Sequence, residues 1–112
     1  MTLNVFEQYF AASGEFSGVK RRGALVMLIS DSEAGSVRYE AAVTFFPHAD
    51  EEDFAVSCDA YFSRTLYEAK GRRSKKREAA LLETLRETVD ALAEESGCAV
   101  LWDEPLRDAR RA

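Results

Sequence analysis

A chain of 112 residues, 46% apolar and 11% aromatic, has the size of one domain with a core of its own, which excludes intrinsic disorder. Its net charge of −5 argues against a protein that coats nucleic acid nonspecifically, because long-range attraction to phosphate follows net charge, and leaves room only for a local patch acting within about one Debye length. No apolar run approaches the roughly 20 residues of a membrane helix, and Met1 to Glu7 has neither the basic opening nor the apolar core of a signal peptide. The expected location is cytoplasmic, with no membrane partner.

Residues 2–13 read as a short helix. Leu3, Phe6, Phe10 and Ser13 share one face at helical spacing, with Thr2 as N-cap and Gly14 as stop. Gly18 and Gly23 then bracket a linker that holds Lys20, Arg21 and Arg22. The apolar run Ala24 to Ile29 is a first strand, and Ser30 to Ser36 is a turn by composition.

A second strand alternates, with Val37, Tyr39, Ala41, Val43 and Phe45 on one side and Arg38, Glu40 and Thr44 on the other. After a turn at Pro47 to Asp53, a third strand places Phe54, Val56, Cys58, Ala60 and Phe62 on one face. Residues 54–68 form either one long strand or a hairpin around Ser63 and Arg64. No Gly or Asn marks a turn there, which favours one long, bent strand. From Ser74 to Ser96 the period is helical, with a stripe of Leu81, Leu82, Leu85, Val89 and Leu92, Ser74 as N-cap and Gly97 just past the end. Cys98 to Trp102 adds a short edge strand, and Trp102 is either a core cap or part of a subunit contact, the core cap being the favoured reading.

The expected fold class is therefore α+β: an α-β-β-β-α two-layer sandwich, a three-stranded antiparallel sheet with two helices packed on one face. Residues 1–112 make a single domain, with a core over about 2–97 and residues 98–112 as edge strand and frayed tail.

Chemistry-bearing residues are sparse. His48 is the only histidine, and Cys58 and Cys98 are too far apart to announce a zinc site or a disulfide framework; each reads as a buried thiol. The acidic loop Asp50 to Asp53 lacks calcium-loop spacing and reads as solvated. The expectation is no enzyme, no metal and no cofactor.

One segment stands apart. Lys70-Gly-Arg-Arg-Ser-Lys-Lys-Arg77 carries six positive charges and no negative one, while outside it nine Lys/Arg face twenty Asp/Glu. Lys75, Lys76 and Arg77 crowd the helix N-terminus, where free N–H groups already present partial positive charge, and Glu94 and Glu95 sit at the opposite end. Each such placement costs about 0.3–1 kcal/mol at low salt. The same N–H groups and cations converge on a phosphate, so the cluster reads as an anion site.

Gly71-Arg-Arg-Ser-Lys-Lys-Arg-Glu-Ala-Ala80, running into Leu81 to Leu85, resembles the signature of the double-stranded-RNA-binding domain family. There a Gly-rich approach leads into Ser/Thr-Lys-Lys at the start of the second helix. The resemblance implies the order helix, three antiparallel strands, helix. It implies phosphate contacts by Lys75 and Lys76 across the narrow major groove of duplex RNA, reinforced by Arg73 and Arg77. It also implies weaker minor-groove contacts from Glu7 and Gln8 on the first helix. Two positions depart from the signature: Ala79 stands where it has a third cation, and Glu78 sets a carboxylate beside the phosphate site.

The expected function is a small non-enzymatic nucleic-acid-binding or nucleic-acid-associated module. Its phosphate site is the basic helix start: Lys70, Arg72, Arg73, Ser74, Lys75, Lys76 and Arg77. Candidate partners are double-stranded RNA or DNA, a protein, and a second copy in a homodimer. The alternative is an acidic, dimeric protein-interaction module, secretion-chaperone-like or immunity-type, with no nucleic-acid binding.

Overall fold

The computed structural model describes residues 2–16, 19–20, 23–46 and 60–102. His48, the acidic loop at 50–53, Cys58 and the first part of the third expected strand lie outside these residues. In chain order the elements are β1 (Thr2–Phe16), β2 (Val19–Lys20), β3 (Gly23–Glu33), β4 (Ser36–Phe46), β5 (Ala60–Lys70), α1 (Lys75–Glu95) and β6 (Cys98–Leu101). All strand pairs are antiparallel. The sheet runs β2-β1-β3-β4-β5 and curls into a half-barrel, and β6 adds to β1.

This corrects the expected sandwich of three strands and two helices. Among the described residues there is one helix, and the segment expected as the first helix is the long strand β1. The error has a local cause. A β-bulge between Asn4 and Phe6 inserts one extra residue, so that Leu3 pairs with Ser30 while Phe6 pairs with Leu28. Ser30 and Leu28 share a face, which puts Leu3 and Phe6 together at a spacing of three and imitates a helical turn. Beyond the bulge the pattern is a plain alternation of Phe6, Gln8, Phe10 and Ala12, all buried. Gln8, polar in an apolar series, hides it.

Two other expectations shift. The "linker" before residue 24 holds β2, which continues the antiparallel return of the chain along β1. The turn expected over 30–36 shrinks to Ala34 and Gly35, both with positive φ (50° and 82°), the geometry that a two-residue hairpin demands. Over the described part of the last long strand, residues 60–70 run as one strand, with a register shift opposite Tyr39 and Glu40 instead of a hairpin.

The core lies between the inner face of the sheet and α1. Phe6, Phe10, Val26, Leu28, Tyr39, Val43 and Phe45 from the sheet meet Leu82, Leu85, Val89 and Leu92 from the helix, each large apolar side chain contributing roughly 1.5–3 kcal/mol by burial. Crossing this face takes the chain from the β5 edge to the β1 edge. There β6 pairs with residues 11–14, and Ala11 has a partner on each side, Gly23 and Leu101. β1 and β6 approach closely at Gly14, where a Cβ would lie 2.5 Å from the Cys98 Cα. The glycine expected as a helix stop is thus a contact point between strands.

Trp102 packs on Phe10 with ring centroids 4.7 Å apart, and its indole N–H donates to Asp90 Oδ1 at 2.7 Å. It caps the core, in which Val100 is buried. On the outer face a smaller cluster forms from Met27, Ile29 and Ala42, with Leu25 beside it.

Candidate anion site at the start of the helix

The connection from β5 to α1 is fastened to the β3–β4 turn. Gly71 adopts φ 120°, and its N–H donates to the Gly35 carbonyl at 2.8 Å. Ser74 follows as the N-cap: its backbone is extended, and its hydroxyl accepts from the Arg77 N–H at 3.2 Å. The helix therefore starts where its sequence predicts, and Gly97 (φ 78°) follows its C-cap.

Beneath this cap lies a polar network that sequence reasoning did not foresee. Glu78 is 7% exposed and Tyr39 only 1%. Arg73 grips the Glu78 carboxylate with two bonds, Nε to Oε2 at 2.8 Å and Nη2 to Oε1 at 3.0 Å, the fork geometry that makes guanidinium–carboxylate pairs strong. The Tyr39 hydroxyl donates to Glu78 Oε2 at 2.7 Å and accepts the Ser74 N–H at 3.2 Å. One phenol thus links the middle of the sheet to both the helix cap and the buried acid.

Each group responds electrostatically. Burial pushes the Glu78 carboxyl up, but hydrogen bonds from Arg73 and Tyr39 and the Arg73 charge outweigh it, so it lies below the ordinary carboxylate value. Burial foremost raises the Tyr39 phenol, the Ser74 N–H opposes it, and Glu78 adds to the rise. The hydrogen bond to Glu78 holds the Arg73 guanidinium firmly protonated. A buried Tyr needs a partner for its hydroxyl, so Tyr39 on an apolar strand face, with Glu78 one turn inside a helix, was the available signal.

The cationic segment thereby divides. Arg73 is neutralised by Glu78. Arg77 lays its guanidinium over the Tyr67 ring, 4.1 Å from the centroid, and forms no ion pair among the described residues. Lys70, Arg72, Lys75 and Lys76 are exposed and form no ion pair among the described residues. Ser74, Lys76 and Arg77 line one shallow groove together. Arg72 and Arg73 line a neighbouring cleft with Ser32, Glu33 and Ser36, so that cleft carries both signs of charge.

Glu7 and Gln8 do not join this site. They lie on β1, and Gln8 is buried in the core, so the first helix that the resemblance offers for minor-groove contacts is a strand. Cys98 is a buried free thiol, as expected. Among the described residues no three His, Cys, Asp or Glu side chains group as metal ligands, and no helix is long and apolar enough to cross a membrane. No family model, curated protein or solved structure matches the chain.

Proposed function

We propose that the protein is a small, cytoplasmic, non-enzymatic module that binds the phosphate backbone of duplex RNA or DNA through Lys70, Arg72, Lys75 and Lys76. The observation that carries this reading is where Glu78 spends its charge. It is the one acid of the helix's first turn, and by sequence it stands as a competitor to phosphate. Folded, it is turned inward and occupied by Arg73 and Tyr39. Lys75 lies within electrostatic reach of it, but neither Lys75 nor Lys76 forms an ion pair with it or with any other described acid. Four exposed cations without an ion pair among the described residues, with Arg77 over the Tyr67 ring beside them, form on a chain otherwise rich in acid a local attraction that acts within about one Debye length, roughly 8–10 Å. Phosphate contacts of this kind position a backbone without reading sequence.

The test is fluorescence anisotropy with labelled RNA and DNA duplexes across a salt series. Affinity falls steeply with salt, and Lys75→Ala with Lys76→Ala lowers the logarithmic slope by about two. Absence of binding to either duplex at about 50 mM salt overturns the reading.

A second reading rests on the opposite face. Tyr9, Leu25, Thr44 and Tyr61 form one row across β1, β3, β4 and β5, and its ends, Tyr9 and Tyr61, are 60% and 52% exposed. Exposed tyrosines are typical of protein contacts, which favours the acidic protein-interaction module. A stable dimer by light scattering, with no duplex binding, selects it. Of the Val100 to Trp102 segment, Val100 and Trp102 turn toward the core, whereas Leu101, 46% exposed and paired with Ala11, lies on this outer face beside the row.

A further inference from the structure

We infer that Glu78 keeps Arg73 out of the phosphate-binding set, so that one buried carboxylate fixes how many cations the site presents. This rests on the phosphate-binding reading above. Arg73 is not withheld by burial: its side chain is 40% exposed, it adjoins Ser74, and it stands two residues from Lys75. Neutralisation withholds it. Both oxygens of Glu78 accept from the guanidinium, at 2.8 and 3.0 Å.

The acid cannot follow Arg73 outward. Its Oε2 is also tied to the Tyr39 hydroxyl at 2.7 Å, and that hydroxyl in turn accepts the N–H of the capping residue. For Glu78 to leave with Arg73 the helix cap would have to open. The pair is therefore asymmetric: a fixed anion inside and a cation at the surface whose long side chain can turn toward a phosphate once its partner is uncharged.

Glu78→Gln isolates the effect. The amide has the length and volume of the acid and keeps an oxygen for the Tyr39 hydroxyl, but it removes the negative charge and one acceptor of Arg73. Two changes of the same sign follow: the local potential becomes more positive, and Arg73 gains a full charge to offer. The variant should bind the RNA duplex severalfold tighter than the wild type at about 100 mM salt, with a slope steeper by about one.

An independent readout needs no ligand. Phenylglyoxal modification of the folded wild-type chain, read by peptide mass spectrometry, should be several times slower at Arg73 than at Arg72, its exposed neighbour without an ion pair among the described residues. In Glu78→Gln the two rates should converge. The inference is overturned if Arg73 and Arg72 react equally fast in the wild type, a comparison that stands even if the variant does not fold. It is also overturned if the folded variant binds the duplex no more tightly than the wild type. A wild type that shows a protected Arg73 but no duplex binding removes the phosphate-binding reading itself, and with it any set for Arg73 to be excluded from.

Discussion

The two ends of α1 carry opposite charge and are finished in opposite ways. At the acidic C-terminal end the protein supplies its own partners: Arg64 of β5 pairs with Glu95, and Trp102 donates to Asp90. Gly14 lets β6 close against β1. At the basic N-terminal end Glu78 neutralises Arg73, while Lys70, Arg72, Lys75 and Lys76 form no ion pair among the described residues. The charge pattern that opposes the helix dipole is thus relieved at both ends, by Glu78 in the first turn and by Arg64 near the last. What survives as an unexplained excess is the set of open cations. A run of charges read from sequence is one feature; folded, it separates into a part that holds the structure and a part that faces outward.

The largest expected effect breaks the closed end. Gly14→Ala must place a Cβ against the Cys98 Cα at 2.5 Å, at a φ of 130° that side chains rarely adopt. A loss of about 3 kcal/mol in chemical denaturation is expected, without any change in duplex affinity measured where the variant is folded. A loss below about 1 kcal/mol would mean that β6 is not held as described.

The structural half of the basic end comes next. Glu78→Ala leaves the buried Tyr39 hydroxyl without its acceptor and Arg73 without its counterion. Because Arg73 is partly exposed and regains water, the expected cost is about 2 kcal/mol, below the range of a fully buried pair. Tyr39→Phe removes two hydrogen bonds but keeps the ring, for about 1–2 kcal/mol.

The same pair has a pH signature with a definite sign. Glu78 has a folded value held below its ordinary one, so its contribution is present above the unfolded value, about 4.3. It is lost as pH falls through the lower folded value. Denaturation curves should therefore show the wild type losing its advantage over Glu78→Gln in acid, below about pH 4.3. An advantage that is constant down to acid would assign it to packing and not to charge.

The smallest effect on stability belongs to the open cations. Lys75→Glu with Lys76→Glu complements the helix dipole and should raise the melting temperature slightly, by the equivalent of about 0.5–1 kcal/mol, while abolishing duplex binding. A lowered melting temperature would place those lysines among the fold's own ion pairs and erase the contrast between the two ends.

Much of this contrast was legible in the sequence, and particular residues show where it was not. The helix stripe, its Ser74 cap, Gly97 and the alternation of β4 are local patterns, and local patterns suffice for them. β1 misled because a bulge and a buried Gln8 gave a strand the spacing of a helix. The pairing that makes Leu3 and Phe6 neighbours is with β3, more than twenty residues away. The cationic segment was visible as composition. Its division was not, because the deciding group is Tyr39, which is 39 residues from Glu78 and whose role follows only from where β4 passes beneath the helix cap.

In the proposed function Lys75 and Lys76 meet the ligand while Arg73 and Glu78 cancel each other. One salt titration of duplex RNA binding, run on Lys75→Gln with Lys76→Gln beside Arg73→Gln with Glu78→Gln, tests it most directly. Both double variants lose two charged side chains. The first should lower the logarithmic slope by about two, and the second should leave slope and affinity at the wild-type values. Loss of binding in the second, or none in the first, would contradict it.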